Sequence, residues 1–211
     1  MELTQVVTLV ILILSIVFHE VAHGYAANWL GDPTARLAGR LSPNPLLHID
    51  PIGSILVPGF LFFSGAQFLF GWAKPVPYNP YNLRNQRWGE AFVAAAGPLA
   101  NLLLAGIFAA LIRSADSLGF SDAVVQMAGY IVFINVLLAL FNAIPFPPLD
   151  GSKIISPLLP RTLEYRYRAL IGYMENMGFI ALILMVFIFM QLLWEPFSFV
   201  VTSMFRLLTG I

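Results

Sequence analysis

The chain has no cysteine, and that absence removes disulfides, thiolate metal ligands and thiol nucleophiles together. Any metal would have to be held by His, Asp or Glu, and histidine is itself scarce, with three in 211 residues. Charge is sparse as well, at 10% of the chain, where soluble globular domains carry about 25%. Eleven Lys and Arg balance eleven Asp and Glu, so there is no basic field to hold nucleic acid by counterion release and no acidic tail. No nucleic-acid partner is expected. What fills the chain is apolar: 59% hydrophobic residues and a mean hydropathy of +0.81, a core that lipid rather than water-facing layers must complete. The lipid bilayer is therefore the first expected partner. The longest polar stretches, residues 31–51, 71–90 and 150–176, are too short to fold separately, so residues 1–211 read as a single integral-membrane domain without a soluble accessory domain.

A membrane-crossing helix needs about 20 mostly apolar residues. Residues 6–30, 91–112, 123–144 and 177–194 are runs of this kind. Only Glu2 carries charge ahead of the first, so the basic start of a secretory signal is missing and this segment is expected to stay in the mature protein. Residues 52–70 are apolar but interrupted by Pro58, Gly59, Ser64, Gly65 and Gln67. A re-entrant or broken membrane segment over residues 52–77 is expected there. The last stretch, residues 197–208, is short and holds Arg206, which reads as an interfacial helix. The fold class is all-α and polytopic, with about four net crossings.

Two of the three histidines stand as His19-Glu20-Val21-Ala22-His23. Positions i and i+4 lie on one helix face about 6 Å apart, so both imidazoles can reach one ion while Glu20, turned about 100° away, contacts a water on it. At this composition such a pentapeptide arises by chance in roughly one chain in a thousand. Its setting is costly too. Glu20 is the only charged residue between Thr4 and Leu30, and a carboxylate inside a membrane helix costs roughly 2.5–3.5 kcal/mol on insertion scales.

A catalytic zinc site commonly takes three protein ligands and leaves the fourth position for water. The third candidates near apolar segments are His48, Asp50 and Asp150. Asp150 is best placed, because it closes the stretch Asn142-Ala-Ile-Pro-Phe-Pro-Pro-Leu-Asp-Gly. The prolines there remove amide donors and forbid regular helix. Irregular backbone at membrane depth is tolerated only inside protein or along a water-filled cavity, and a hydrolase needs that cavity.

These motifs, with Gly97-Pro98-Leu99-Ala100-Asn101 in a middle span, resemble the site-2 protease family of intramembrane zinc metalloproteases. Residues 44–53 and 71–77 are similar to the compact members without accessory domains. The resemblance implies that His19, His23 and Asp150 bind one zinc ion per chain, that Glu20 activates water, and that Asn142 steadies the substrate or the developing oxyanion. Asn101 and His48 are further candidates for that contact: Asn101 as an interhelical hydrogen-bonding group, His48 within a turn set by Pro43, Pro45 and Pro51. The expected substrates are transmembrane proteins, cut within or near a membrane-spanning segment in regulated intramembrane proteolysis. Residues 71–77 are a candidate edge for holding an unwound substrate by β-addition.

One ion cannot be shared across the membrane, so the number of crossings between His23 and Asp150 must be even. Residues 91–112 and 123–144 supply two, and residues 52–70 should add no net third. On that topology Arg36, Arg40, Lys74, Arg84, Arg87, Lys153, Arg161, Arg166 and Arg168 share one side against Arg113 and Arg206. The positive-inside rule then places the N-terminus outside and the site toward the cytoplasmic side of a multi-pass cell-membrane protein. A zinc or proton transporter using the same His and Glu residues is the alternative, since intramembrane ionisable groups mark transport paths as well. It should string polar residues through several spans, yet residues 177–194 hold only Gln191 as a strongly polar group.

Overall fold

A computed structural model describes residues 3–57, 60 and 73–211. Among the described residues every regular element is helical. Helix α1 (Leu3–Trp29) is followed by the short α2 (Thr34–Leu37), then by α3 (Gly89–Arg113), α4 (Ala115–Leu118), α5 (Asp122–Asn142) and α6 (Asp150–Ile155). An amphipathic helix, α7 (Arg161–Met177), leads into α8 (Phe179–Ile188) and α9 (Trp194–Thr209). Among the described residues four stretches are long and apolar enough to cross a membrane: Val6–Trp29, Gly89–Arg113, Asp122–Asn142 and Ile183–Thr209. The protein is a polytopic all-α membrane chain.

The end of α1 follows from its sequence. Gly31 takes a φ of 109°, the left-handed conformation that glycine adopts without penalty. Its amide donates to Asn28 O and that of Asp32 to Ala27 O, the paired closure of a Schellman motif. The buried Asp32 carboxylate then ties this end to the following loops, accepting from Thr34 Oγ1 at 2.5 Å, Asn79 N at 2.6 Å and Asn82 Nδ2 at 2.8 Å. Burial pushes the Asp32 carboxyl up, but these hydrogen bonds outweigh it and hold it below the usual carboxylate range.

The core lies between α3, α5 and α9. Ala105, Ala109 and Ile112 of α3 meet Ala128, Val132 and Val136 of α5 and Val201 of α9. Small side chains let the helices close in, as packing within lipid requires. The two ends of this bundle differ in charge. At one end Arg168 pairs with Glu90 and Glu164, Lys153 with Glu175, and Arg87 reaches Pro157 O. At the other, Arg113 donates to Leu208 O at 2.6 Å and Leu207 O at 2.7 Å, satisfying the last carbonyls of α9.

The C-terminal boundary differs from the sequence expectation of a span over residues 177–194 and a separate interfacial helix over 197–208. Helix α8 passes through a π-helical turn, Phe189–Leu193, into α9, and the fourth apolar stretch is Ile183–Thr209. Glu195 and Pro196 break the hydropathy pattern but not the helix. Pro196 falls in the first turn of α9, where a missing amide costs little. Arg206 lies in the last turn of α9, at the end of the bundle that Arg113 shares.

The expected broken segment over residues 52–77 falls largely on 58, 59 and 61–72, outside the described residues. Its start is a π-helical turn, Pro51–Leu56, capped by Asp50 Oδ1, which accepts from Ile52 N at 3.0 Å and Gly53 N at 2.7 Å. Residues 73–77 are neither helix nor strand.

Candidate metal centre

His19 and His23 face the same side of α1, one turn apart, with ring centroids separated by 4.6 Å. Asp150 arrives from the first turn of α6, held there because the prolines before it stop α5 and let a new helix begin. Gly151 is what allows the approach: a Cβ there would collide with the carbonyl oxygens of Ala143 and Ile144. Asp150 Oδ2 lies 3.1 Å from His19 Nε2 and 3.3 Å from His23 Nε2, and the three donor atoms all fall within 4.8 Å of one another.

Helix α3 forms the floor. A Cβ on Gly97 would stand 2.5 Å from His23 Nε2 and 2.6 Å from His19 Nε2, so only glycine lets this helix pass beneath both rings. Pro98 is buried beside it within the helix.

The arrangement suits a cation. Main-chain carbonyls only accept hydrogen bonds, so His23 Nδ1, 2.7 Å from Val93 O, carries its proton there and turns the Nε2 lone pair toward Asp150. Acceptor atoms converging on one point call for a positive charge between them. Donor atoms 3.1 and 3.3 Å apart, with all three within 4.8 Å of one another, are close enough to share one ion. Imidazole nitrogen and carboxylate oxygen are zinc donors, and each ring is steadied through its other nitrogen, His19 by Asn101 and His23 by Val93 O.

Glu20 points to the side of this cluster, where its Oε2 accepts from Val76 N at 2.9 Å. Pro75 and Pro77 have no amide hydrogen, so Val76 supplies the one donor in this tripeptide. Neighbouring backbone groups are also engaged: Lys74 N donates to His48 O at 2.8 Å, and Arg40 Nη2 donates to Lys74 O at 2.9 Å. Residues 74–76 therefore do not present the open edge that β-addition would need. Asn101 Oδ1 lies 2.6 Å from His19 Nδ1, which brings this candidate into the cluster from behind. Asn142 donates to Leu138 O of its own helix at 3.0 Å. His48 is buried apart, with Nε2 donating to Ser42 O at 2.9 Å, and Asp50 is a helix cap rather than a third ligand. Sequence reasoning misses Asn135, which supports Asn101 at 2.8 Å, although a carboxamide in the middle of an apolar span is a signal in itself. It also misses Val76, whose contribution is main-chain.

Among the described residues, four apolar helices and a His, His and Asp cluster define a membrane protein with a candidate metal centre. Residues 7–125 and 115–186 match Peptidase family M50. The chain belongs to that family, the site-2 proteases. It is 38% identical over 180 residues to a Bacillus subtilis protein named as a zinc metalloprotease, YwhC, covering 82% of this chain and 77% of the relative. It is 28% identical over 151 residues to Rip2 of Mycolicibacterium smegmatis, also named as a zinc metalloprotease, covering 70% of this chain and 55% of that one. No solved structure matches the chain.

Proposed function

We propose that the protein is an intramembrane zinc metalloendopeptidase of the HExxH type that hydrolyses peptide bonds within or near the transmembrane segments of membrane-protein substrates. The observation that carries this reading is the convergence of His19, His23 and Asp150 within 4.8 Å, with Glu20 beside them on α1. The three would hold one zinc ion per chain. Bound there, zinc supplies a Lewis acid for the scissile carbonyl and a lowered pKa for water. Glu20 takes the proton of the attacking water and returns it to the leaving amine nitrogen. With Oε2 held by the Val76 amide, that transfer falls to Oε1. Asn142, at the end of α5, would leave its bond to Leu138 O to meet the substrate or the developing oxyanion.

The substrate segment must be unwound before cleavage, because a helix locks its carbonyls in hydrogen bonds four residues apart. The basic residues favour a cell-membrane protein with its N-terminus outside and the site toward the cytoplasm. Ion pairing of Arg168, Lys153 and Arg87 at the histidine-bearing end supports that assignment.

The test is to purify the protein in detergent or nanodiscs, measure bound zinc, and compare cleavage of a panel of membrane-embedded substrates by wild type and Glu20→Gln. Zinc at one ion per chain, with cleavage lost in the variant, is the expected result. A wild type without zinc, or a Gln variant that cleaves as well, overturns the reading. Zinc flux into proteoliposomes without proteolysis would favour the transporter.

A further inference from the structure

Behind His19 lies a polar chain enclosed among apolar side chains, made of Ser15 on α1, Asn101 on α3 and Asn135 on α5. Asn101 and Asn135 are fully buried and Ser15 nearly so. Asn101 Oδ1 faces His19 Nδ1 at 2.6 Å, while Asn101 Nδ2 donates to Asn135 Oδ1 at 2.8 Å and to Ser15 O at 3.3 Å. Asn135 Nδ2 in turn donates to Ser15 Oγ and to Ile131 O, both at 2.9 Å.

A carboxamide can be turned end for end, and the partners decide which way it sits. Two of these partners leave no choice. Ser15 O and Ile131 O are main-chain carbonyls that only accept, so each asparagine must offer its NH2 group to one of them. Reversing Asn101 would set its oxygen against Ser15 O, and reversing Asn135 would set its oxygen against Ile131 O. With both amides fixed, the atom facing His19 is an oxygen, and His19 Nδ1 must supply the proton.

We infer that Asn135 is a positioning residue of the metal centre: acting through Asn101, it holds His19 in the tautomer protonated on Nδ1 and keeps the Nε2 lone pair directed at the point shared with His23 and Asp150. The consequence for metal affinity rests on the zinc reading above, whereas the tautomer does not. Of the two anchors on the Asn101 NH2 group, Asn135 is the shorter and Ser15 O the longer. Without Asn135 the Asn101 amide keeps one weak tether and can rotate, and His19 can then place its proton on either nitrogen.

Only three histidines report in a 15N-histidine spectrum, and hydrogen bonding predicts the tautomer of each. In wild type without metal, at a pH high enough that the imidazoles are neutral, His19 and His23 should carry the proton on Nδ1, and His48, which donates through Nε2 to Ser42 O, on Nε2. In Asn135→Leu the His19 resonances should change to a mixture of both tautomers while those of His23 and His48 stay in place, which also reports an intact fold. Zinc affinity, titrated separately, should fall about 10–100-fold, as for other groups that orient a ligand. Ser15→Ala removes one acceptor of Asn135 and should move the same signals less far, so it decides the matter if the leucine variant does not fold. The inference is overturned if wild-type His19 is protonated on Nε2. It is equally overturned if folded Asn135→Leu keeps the wild-type His19 signals and zinc affinity. Should His19 carry its proton on Nδ1 in a protein that binds no zinc, the tautomer assignment stands and the metalloprotease reading falls.

Discussion

Behind His19, on the side away from Asp150, the polar groups are neutral: two amides and a hydroxyl, enclosed by helices and bonded to one another and to main-chain carbonyls. Around α7, at the polar end of the bundle, they are ions: Arg168 with Glu90 and Glu164, Lys153 with Glu175 and beside Tyr78. Both sets tie together residues far apart in sequence, and the difference follows from their surroundings. A charge deep in an apolar medium carries a desolvation penalty that a pair repays only with ideal geometry, while an amide needs only its few hydrogen bonds. At the end of the bundle water pays part of that cost, and ion pairs become affordable but weak. Two carboxylates of the site stand outside both sets: Asp150 lies against the two imidazoles, and Glu20 is met by the main-chain amide of Val76.

The comparison can be broken by substitution. The largest effect is expected at Glu20: Glu20→Gln keeps the shape and the Val76 contact on an oxygen but removes the base, and peptide cleavage should fall by about 10²–10⁴-fold while bound zinc is retained. Gly97→Ala comes next. Its methyl would meet both imidazoles at 2.5–2.6 Å, and the forced separation of α1 from α3 should cost about 1–3 kcal/mol and most of the zinc affinity, read by thermal unfolding and metal titration.

Asp32 tests the boundary between the two regions. Because its folded pKa lies below the unfolded value of 3.8, the stability it contributes is fully present above that value and is lost as pH falls through the lowered folded one. The unfolding midpoint of wild type should drop below about pH 4, and that part of the drop should vanish in Asp32→Asn, which should be less stable at pH 7. The smallest effect belongs to the ions. Arg168→Met should cost about 0.2–1 kcal/mol, since the Arg168 side chain is 35% exposed, and the cost should shrink in high salt.

Much of the site is legible in the sequence because it is local. His19 and His23 need only helical periodicity to share a face, and the prolines before Asp150 announce a break wherever they occur. What the sequence hides is tertiary. Nothing in the spacing of Ser15, Asn101 and Asn135 says that three helices bring them together, and the last span was obscured by Glu195 and Pro196, whose polarity counts in a hydropathy window but not in the first turn of a helix. The backbone contacts of residues 74–76 are equally unreadable, so the sequence offers an edge for β-addition there that the fold has already occupied.

Pro75-Val76-Pro77 carries a last consequence. The donor that meets Glu20 is an amide that all amino acids but proline possess, so the contact is inherited through position and not through residue identity. The tripeptide would keep this bond through side-chain exchange at its centre, within the room left by the valine methyl that stands 2.8 Å from where a Cβ on Gly24 would be. An exchange at position 76 to any residue but proline would alter packing and leave the amide that meets Glu20 in place. Val76→Pro is the one natural replacement that deletes that donor outright.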